Sequence, residues 1–212
     1  MQCKNCRKDM KLKETIANAL EKSISAEQYS ELLNAYAKEG KTSGRHNDDL
    51  VYYTKLNAQR ARRIGKTVQL NEDLIKQVRD LSKQTWLLIS ETWCGDAANS
   101  VPVIAAIADE NPSIELRLVF RDEHPELIDQ FLTKGGRSIP KLIALDENLD
   151  VLFDWGPRPE ELQKIYWEWR EKEDREPYKE FQVTIQKWYN EDKSRGVQQE
   201  LMTSIEAIGT PV

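Results

Sequence analysis

Residues 86–97 read Trp86-Leu-Leu-Ile-Ser-Glu-Thr-Trp-Cys-Gly-Asp-Ala97, and this stretch decides the fold. Trp86–Ser90 is a short apolar run between polar flanks, the pattern of a strand buried on both faces. From Cys94 the pattern changes to helical, reaching about Glu110. A cysteine at a strand-to-helix junction sits where backbone N–H groups and the helix dipole favour a thiolate. Its pKa is therefore expected below the ~8.5 of a free thiol. Pro102, eight residues after Cys94, falls inside the helical run and should kink it.

Working downstream, Ile114–Phe120 alternates and reads as a second strand. Pro125–Lys134 reads as a helix ended by Gly135-Gly136. Ser138-Ile-Pro140 precedes Lys141–Leu145, which should pair with Val151–Trp155 as a hairpin turning through Asp146–Asn148. Pro159 starts a helix to Lys172, and a helical pair at Tyr178–Tyr189 and Val197–Ile208 follows. Working upstream, Asn71 caps a helix ending near Gln84. Asp48 can cap another, with apolar positions Val51, Tyr52, Leu56 and Ile64. Ser25-Ala-Glu-Gln28 has the form of a capping box whose helix stops at Gly40. Leu12, Ile16, Ala19 and Leu20 repeat at helical spacing before it.

Strand–helix alternation gives a parallel pair and the hairpin an antiparallel one. The expected fold is α/β, a mixed four-to-five-stranded sheet with helices on both faces. The expected division is an N-terminal helical extension over 1–69, a central domain over 70–172 and a C-terminal helical extension over 173–212. The helices before Leu70 should pack on the central domain, because none buries enough surface alone.

The 31 Lys and Arg against 36 Asp and Glu give a net charge of −5, which argues against a nucleic-acid footprint. Arg60, Arg62, Arg63 and Lys66 form a local basic cluster that reads as a solvated helix face. Met1–Lys13 is basic and polar with no apolar core behind it, and no apolar run approaches the ~18 residues that span a bilayer. The three cysteines, Cys3, Cys6 and Cys94, read as reduced thiols in a cytoplasmic protein.

Trp93-Cys94-Gly95, the proline at 102 and the Ile139-Pro140 pair before a strand together resemble the thioredoxin family. Thioredoxins carry Trp-Cys-Gly-x-Cys at this junction, a kinking proline eight residues after the first cysteine, and an apolar residue before a cis-proline facing the cysteines. Val151–Gly156 fits the family's last strand and its glycine. The likeness covers about half the chain and is closest to bacterial thioredoxin-like proteins with helical extensions. It implies the thioredoxin fold, Cys94 as the catalytic nucleophile, and a substrate-binding surface of Trp93, Gly95, Asp96, Ala97, Ile139 and Pro140. It also implies a cis Ile139–Pro140 bond within a few ångströms of Cys94, where an extended peptide could dock by β-type pairing.

Two positions depart from the family. Ala97 stands where the resolving cysteine would be, and Leu88 where many thioredoxins bury an acid that assists proton transfer. A dithiol cycle needs two thiols that can meet, so this loop alone cannot complete one. Cys94 then reads either as a monothiol nucleophile or as a small buried residue of an inherited loop. Asp96 reads as a helix-start acid or as a group that tunes the thiol.

Cys3 and Cys6 form a CxxC that reads as accessory thiols for Cys94 or as two exposed thiols. It is half a zinc site without a second half, since His46 and His124 stand apart. Tyr166, Trp167 and Trp169 read as packing between the last helices. No metal or cofactor is expected. The expected partner is a protein or a small-molecule thiol or disulfide, such as glutathione. Against this monothiol redox reading stand a non-catalytic polypeptide-binding module and a scaffold.

Overall fold

The computed structural model describes residues 4–209. Cys3 and the Cys6 side chain, and with them the accessory-thiol reading, lie outside the described residues.

The chain opens with α1 (Lys4–Glu21), β1 (Ile24–Ser25) and α2 (Ala26–Glu39). The Ser25 hydroxyl accepts from the Gln28 N–H while the Gln28 side chain accepts from the Ser25 N–H, a complete capping box. Gly40, at φ 70°, stops α2 in the left-handed conformation. α3 (Asp48–Thr67) is capped by Asn47, one residue before the expected Asp48. The Asn47 Oδ1 accepts from the Leu50 N–H at 2.8 Å, so Asp48 and Asp49 fall in the first turn and favour the helix dipole. α4 (Glu72–Arg79), capped by Asn71, ends well before Gln84, where β2 (Gln84–Ser90) begins.

α5 (Gly95–Ala108), β3 (Ile114–Phe120), α6 (Pro125–Ile128), β4 (Lys141–Leu145), β5 (Val151–Trp155), α7 (Glu160–Glu171), α8 (Tyr178–Asp192) and α9 (Arg195–Gly209) follow. The sheet order is β1-β3-β2-β4-β5. β2 is parallel to β3 and antiparallel to β4, with Leu88 opposite both Leu118 and Leu142. A strand flanked on both edges and covered on both faces must be apolar throughout, and Trp86–Ile89 are fully buried.

Two expectations need correction. The helix expected over Pro125–Lys134 is a single turn. Leu127 and Ile128 bury their side chains, and then Arg137 grips Asp129 with two hydrogen bonds of 2.6 Å, pulling the chain back. Lys134 and Gly135 take positive φ in the tight bridge between Thr133 and Gly136. The second correction is β1, which the sequence reading missed. Two residues carry no periodicity; tertiary bonds define them instead. Ile24 pairs with Leu118, and the Arg117 guanidinium donates to the Ser23 carbonyl at 2.6 Å and hydroxyl at 2.9 Å.

Ile16 of α1, Tyr29 and Leu33 of α2 and Ala58 of α3 are buried in the same apolar cluster as the sheet. A second cluster gathers Leu162 of α7 with Phe181, Ile185 and Tyr189 of α8, and Trp169 stacks on Phe181 at 4.6 Å. Tyr166 and Trp169 thus take the packing role expected of the aromatic group, whereas Trp167 lies outside this cluster with Lys134 4.4 Å over its ring. Among the described residues no helix is long and apolar enough to cross a membrane.

Candidate functional site around Cys94

β2 delivers Cys94 to the start of α5, where it is the N-cap residue. The Ala97 N–H donates to Cys94 Sγ at 3.5 Å, and the thiol donates to the Ile139 carbonyl at 3.3 Å. The Ile139–Pro140 bond is cis. At the end of β5, Gly156 lies against this segment at φ 112°, where an added Cβ would strike the Pro140 carbonyl oxygen. Cys94, Ala97, Ile139 and Pro140 are therefore brought together and buried, while Trp93 and Gly95 are half-buried beside them.

The thiol is 7% exposed. Burial pushes its pKa up to about 12, and the Asp96 carboxylate adds to the rise. The Ala97 N–H and Arg158 act the other way but do not offset the lost hydration. This corrects the expectation of a depressed pKa. The helix start does favour the thiolate, but a desolvated sulfur feels burial more strongly.

Asp96 is also buried, and it does more than start a helix. Its Oδ2 accepts from Arg158 Nη2 at 2.6 Å, and its Oδ1 from Arg158 Nε at 3.1 Å and from the Tyr189 hydroxyl at 2.9 Å. Arg158 comes from the segment between β5 and α7, and its guanidinium also lies 4.4 Å over the Tyr166 ring. Burial and the neighbouring Asp96 raise the Tyr189 pKa well above its ordinary value, so its hydroxyl keeps the proton it donates. The carboxylate two residues from the thiol thus ties α5 to the segment before α7 and to α8.

The basic cluster of α3 is also not uniform. Arg62 and Arg63 reach exposed amides, Asn34 and Asn190. Arg60 points the other way, toward Cys94: its Nη1 would lie 3.7 Å from a Cβ placed on Gly95. Arg60, Trp93, Cys94, Tyr178, Lys179 and Gln182 border a cleft of about 260 Å³ between α3 and α8. Sequence reading found the cysteine loop and missed Arg60, Arg158 and Tyr189, whose roles depend on elements that meet only in the fold.

Leu88 is fully buried. Glu91, three residues before Cys94, is a buried acid that sequence reading passed over. It accepts from the Ser43 hydroxyl in a short hydrogen bond and from the Asp122 N–H at 2.9 Å. Burial raises its pKa. Ser43 and Thr92 each accept from the other's backbone N–H at 2.9 Å, joining the loop before α3 to the Cys94 loop. Among the described residues no group of His, Cys, Asp and Glu could hold a metal.

Comparison with solved structures gives two likenesses of fold. A protein of unknown function from Pseudomonas aeruginosa is 15% identical, with a TM-score of 0.55 over 82% of this chain and 90% of that one. An HIV epitope-scaffold is 18% identical, with a TM-score of 0.52 over 87% of this chain and 99% of that one. No curated protein matches the sequence. The family model described as thioredoxin matches residues 44–179, more than half of the chain, so the match takes in α3 as well as β2 to β5. The chain belongs to the thioredoxin family.

Proposed function

We propose that this protein is a monothiol redox member of its family, in which Cys94 forms mixed disulfides. The observation that carries this reading is the meeting of Cys94 Sγ with the Ile139 carbonyl, 3.3 Å apart, at the start of α5. In the reaction Cys94 loses its proton to solvent, and the thiolate attacks one sulfur of a disulfide. A new S–S bond forms to Cys94, the old S–S bond breaks, and the departing thiolate takes up a proton. With Ala97 three residues on, no thiol in the same loop can expel the bound partner. Release then needs an external thiol, or Cys3 or Cys6.

The raised pKa means that the resting thiol is protonated at neutral pH. Reaction therefore draws on the small thiolate fraction, which grows as pH rises. In this reading residues 70–172 carry the thiol, the segments 1–69 and 173–212 wall it in, and the protein works in a reducing compartment such as the cytoplasm.

The test uses a Cys3→Ser/Cys6→Ser background exposed to 2-hydroxyethyl disulfide, followed by intact-mass spectrometry between about pH 7 and 10, a range around the free-thiol value. One persistent adduct, lost in Cys94→Ser and formed faster at higher pH, supports the reading. A folded protein unmodified throughout favours the second reading, a non-catalytic binding module. The specific observation behind that alternative is the 7% exposure of Cys94.

A further inference from the structure

The cleft beside Cys94 holds a cation that has no ion pair among the described residues. The Arg60 guanidinium is half-buried, and burial lowers its pKa from the ordinary arginine value. Its hydrogen bond is to a neutral group, Asn57 Oδ1, at 3.1 Å. Among the described residues it forms no ion pair with a carboxylate. A desolvated charge without a counter-charge is costly, and folded proteins normally pair it. The nearest acid in the cleft, Asp96, is already bound to Arg158 and Tyr189. Across the cleft Lys179 is exposed and, among the described residues, also without an ion pair. Trp93 also lines this cleft, and its indole N–H is buried with no hydrogen-bond partner among the described residues. Two cations without ion pairs among the described residues therefore border the approach to one sulfur.

The dimensions limit what can enter. The cleft is about 260 Å³, at or below the small end of ligand pockets. α3 forms one wall and α8 the other, so the cleft seats a small ligand better than a long segment of polypeptide. We infer that the Cys94 cleft selects low-molecular-weight disulfides bearing carboxylate groups, with Arg60 reading the carboxylate. This rests on the monothiol reading of Cys94. A carboxylate on Arg60 supplies the missing counter-charge and receives charge-assisted hydrogen bonds.

The experiment compares three small disulfides on the Cys3→Ser/Cys6→Ser protein near pH 9: dianionic 3,3′-dithiodipropionate, neutral 2-hydroxyethyl disulfide and cationic cystamine. Adduct formation on Cys94 is followed by intact mass. The expected order is dianion, neutral, cation, with the dianion at least tenfold faster than the neutral compound. Arg60→Gln should bring that ratio close to one, whereas Arg62→Gln, in the same helix but bonded to Asn34, should leave it unchanged. A second arm avoids thiol chemistry altogether. Cys94→Ser is titrated calorimetrically with 3,3′-thiodipropionate, a thioether that cannot exchange, and binding should weaken about tenfold in Cys94→Ser/Arg60→Gln.

If none of the three disulfides reacts, the monothiol reading fails, and the thioether titration still decides whether the cleft takes carboxylates. If all three react at equal rates, or reduced-and-reoxidised insulin reacts faster than the dianion, the anion-selective cleft is overturned while the monothiol reading stands. Absence of thioether binding likewise overturns the cleft.

Discussion

Asp96 lies two residues after Cys94, and its Oδ2 sits 2.6 Å from the Nη2 of Arg158, sixty-two positions further along the chain. Both side chains are under a tenth exposed. Breaking a buried pair by removing one partner leaves an uncompensated charge and costs about 3–5 kcal/mol. Asp96→Ala is expected to destabilise by about that much. Asp96→Ala/Arg158→Met should recover much of it, because no bare charge remains. Urea unfolding of the parent and the two variants measures this. A double variant no more stable than Asp96→Ala would mean that the pair's Coulomb attraction, not the orphaned charge, sets the cost.

The same carboxylate raises the thiol's pKa, second to burial. Asp96→Asn should therefore lower the Cys94 pKa and speed its alkylation at any fixed pH below it. In the Cys3→Ser/Cys6→Ser background iodoacetamide rates should climb tenfold per pH unit from 7 to beyond 10, with no plateau near the ~8.5 of a free thiol. A plateau at or below 8.5 would mean that the sulfur is far better hydrated than its burial implies.

The shift has a linked effect on stability. A native pKa above the unfolded one means that the folded state holds its proton more tightly. Stability from this group is present below the unfolded value of ~8.5 and lost as pH rises toward about 12. Cys94→Ala should remove this alkaline slope. Unfolding free energies of parent and variant at pH 7.5 and pH 10 should converge as pH increases; parallel curves would contradict the raised pKa.

Gly156 should tolerate no side chain. It combines φ 112° with an added Cβ's collision on the Pro140 carbonyl oxygen. Gly156→Ala is expected to cost more than the ~1–3 kcal/mol of backbone strain alone. At about 2–4 °C per kcal/mol for a chain of this size, a Tm drop of roughly 5 °C or more should be plain in a thermal melt. Gly40→Ala, with a positive φ but nothing within 4 Å, should cost less. Equal losses at the two sites would show that conformation alone, not the approach of Pro140, requires the glycine.

Ala97→Cys restores a second thiol at a buried position three residues from Cys94. Oxidation should form an internal disulfide, read as a loss of two hydrogens by intact mass in the Cys3→Ser/Cys6→Ser background. Mixed adducts at Cys94 should then be released instead of persisting. Proton transfer would stay slow, since Leu88 offers no acid.

What could be read in the sequence follows from where the information lies. β2 announces itself because a central strand must be apolar at every position, and α2 because Ser25 and Gln28 satisfy each other within four residues. Cys94, Ile139 and Pro140 were legible as a set through their spacing. The two-residue β1 was not, because its definition lies in Leu118 and Arg117, over ninety residues away. Arg60 and Arg62 look alike in sequence and differ only in what α8 and Asn34 bring to them. Asp96 fits a helix-start acid by local rules, and its tie to Arg158 exists only in the tertiary structure. The pKa direction of Cys94 was misjudged for the same reason: the dipole is local, whereas burial depends on the whole fold.

The brevity of β1 has a consequence for truncated forms. It pairs with β3 at Leu118 and Arg117 alone, and Arg117 is held in place by Ser23. A chain shortened to begin after Ser25 would lose that clasp and bare the outer backbone of β3, whose Leu116 and Val119 belong to the interior. An uncovered strand edge invites pairing with other copies. Such a fragment would be limited by aggregation in the test tube well before any loss of its thiol chemistry could be measured.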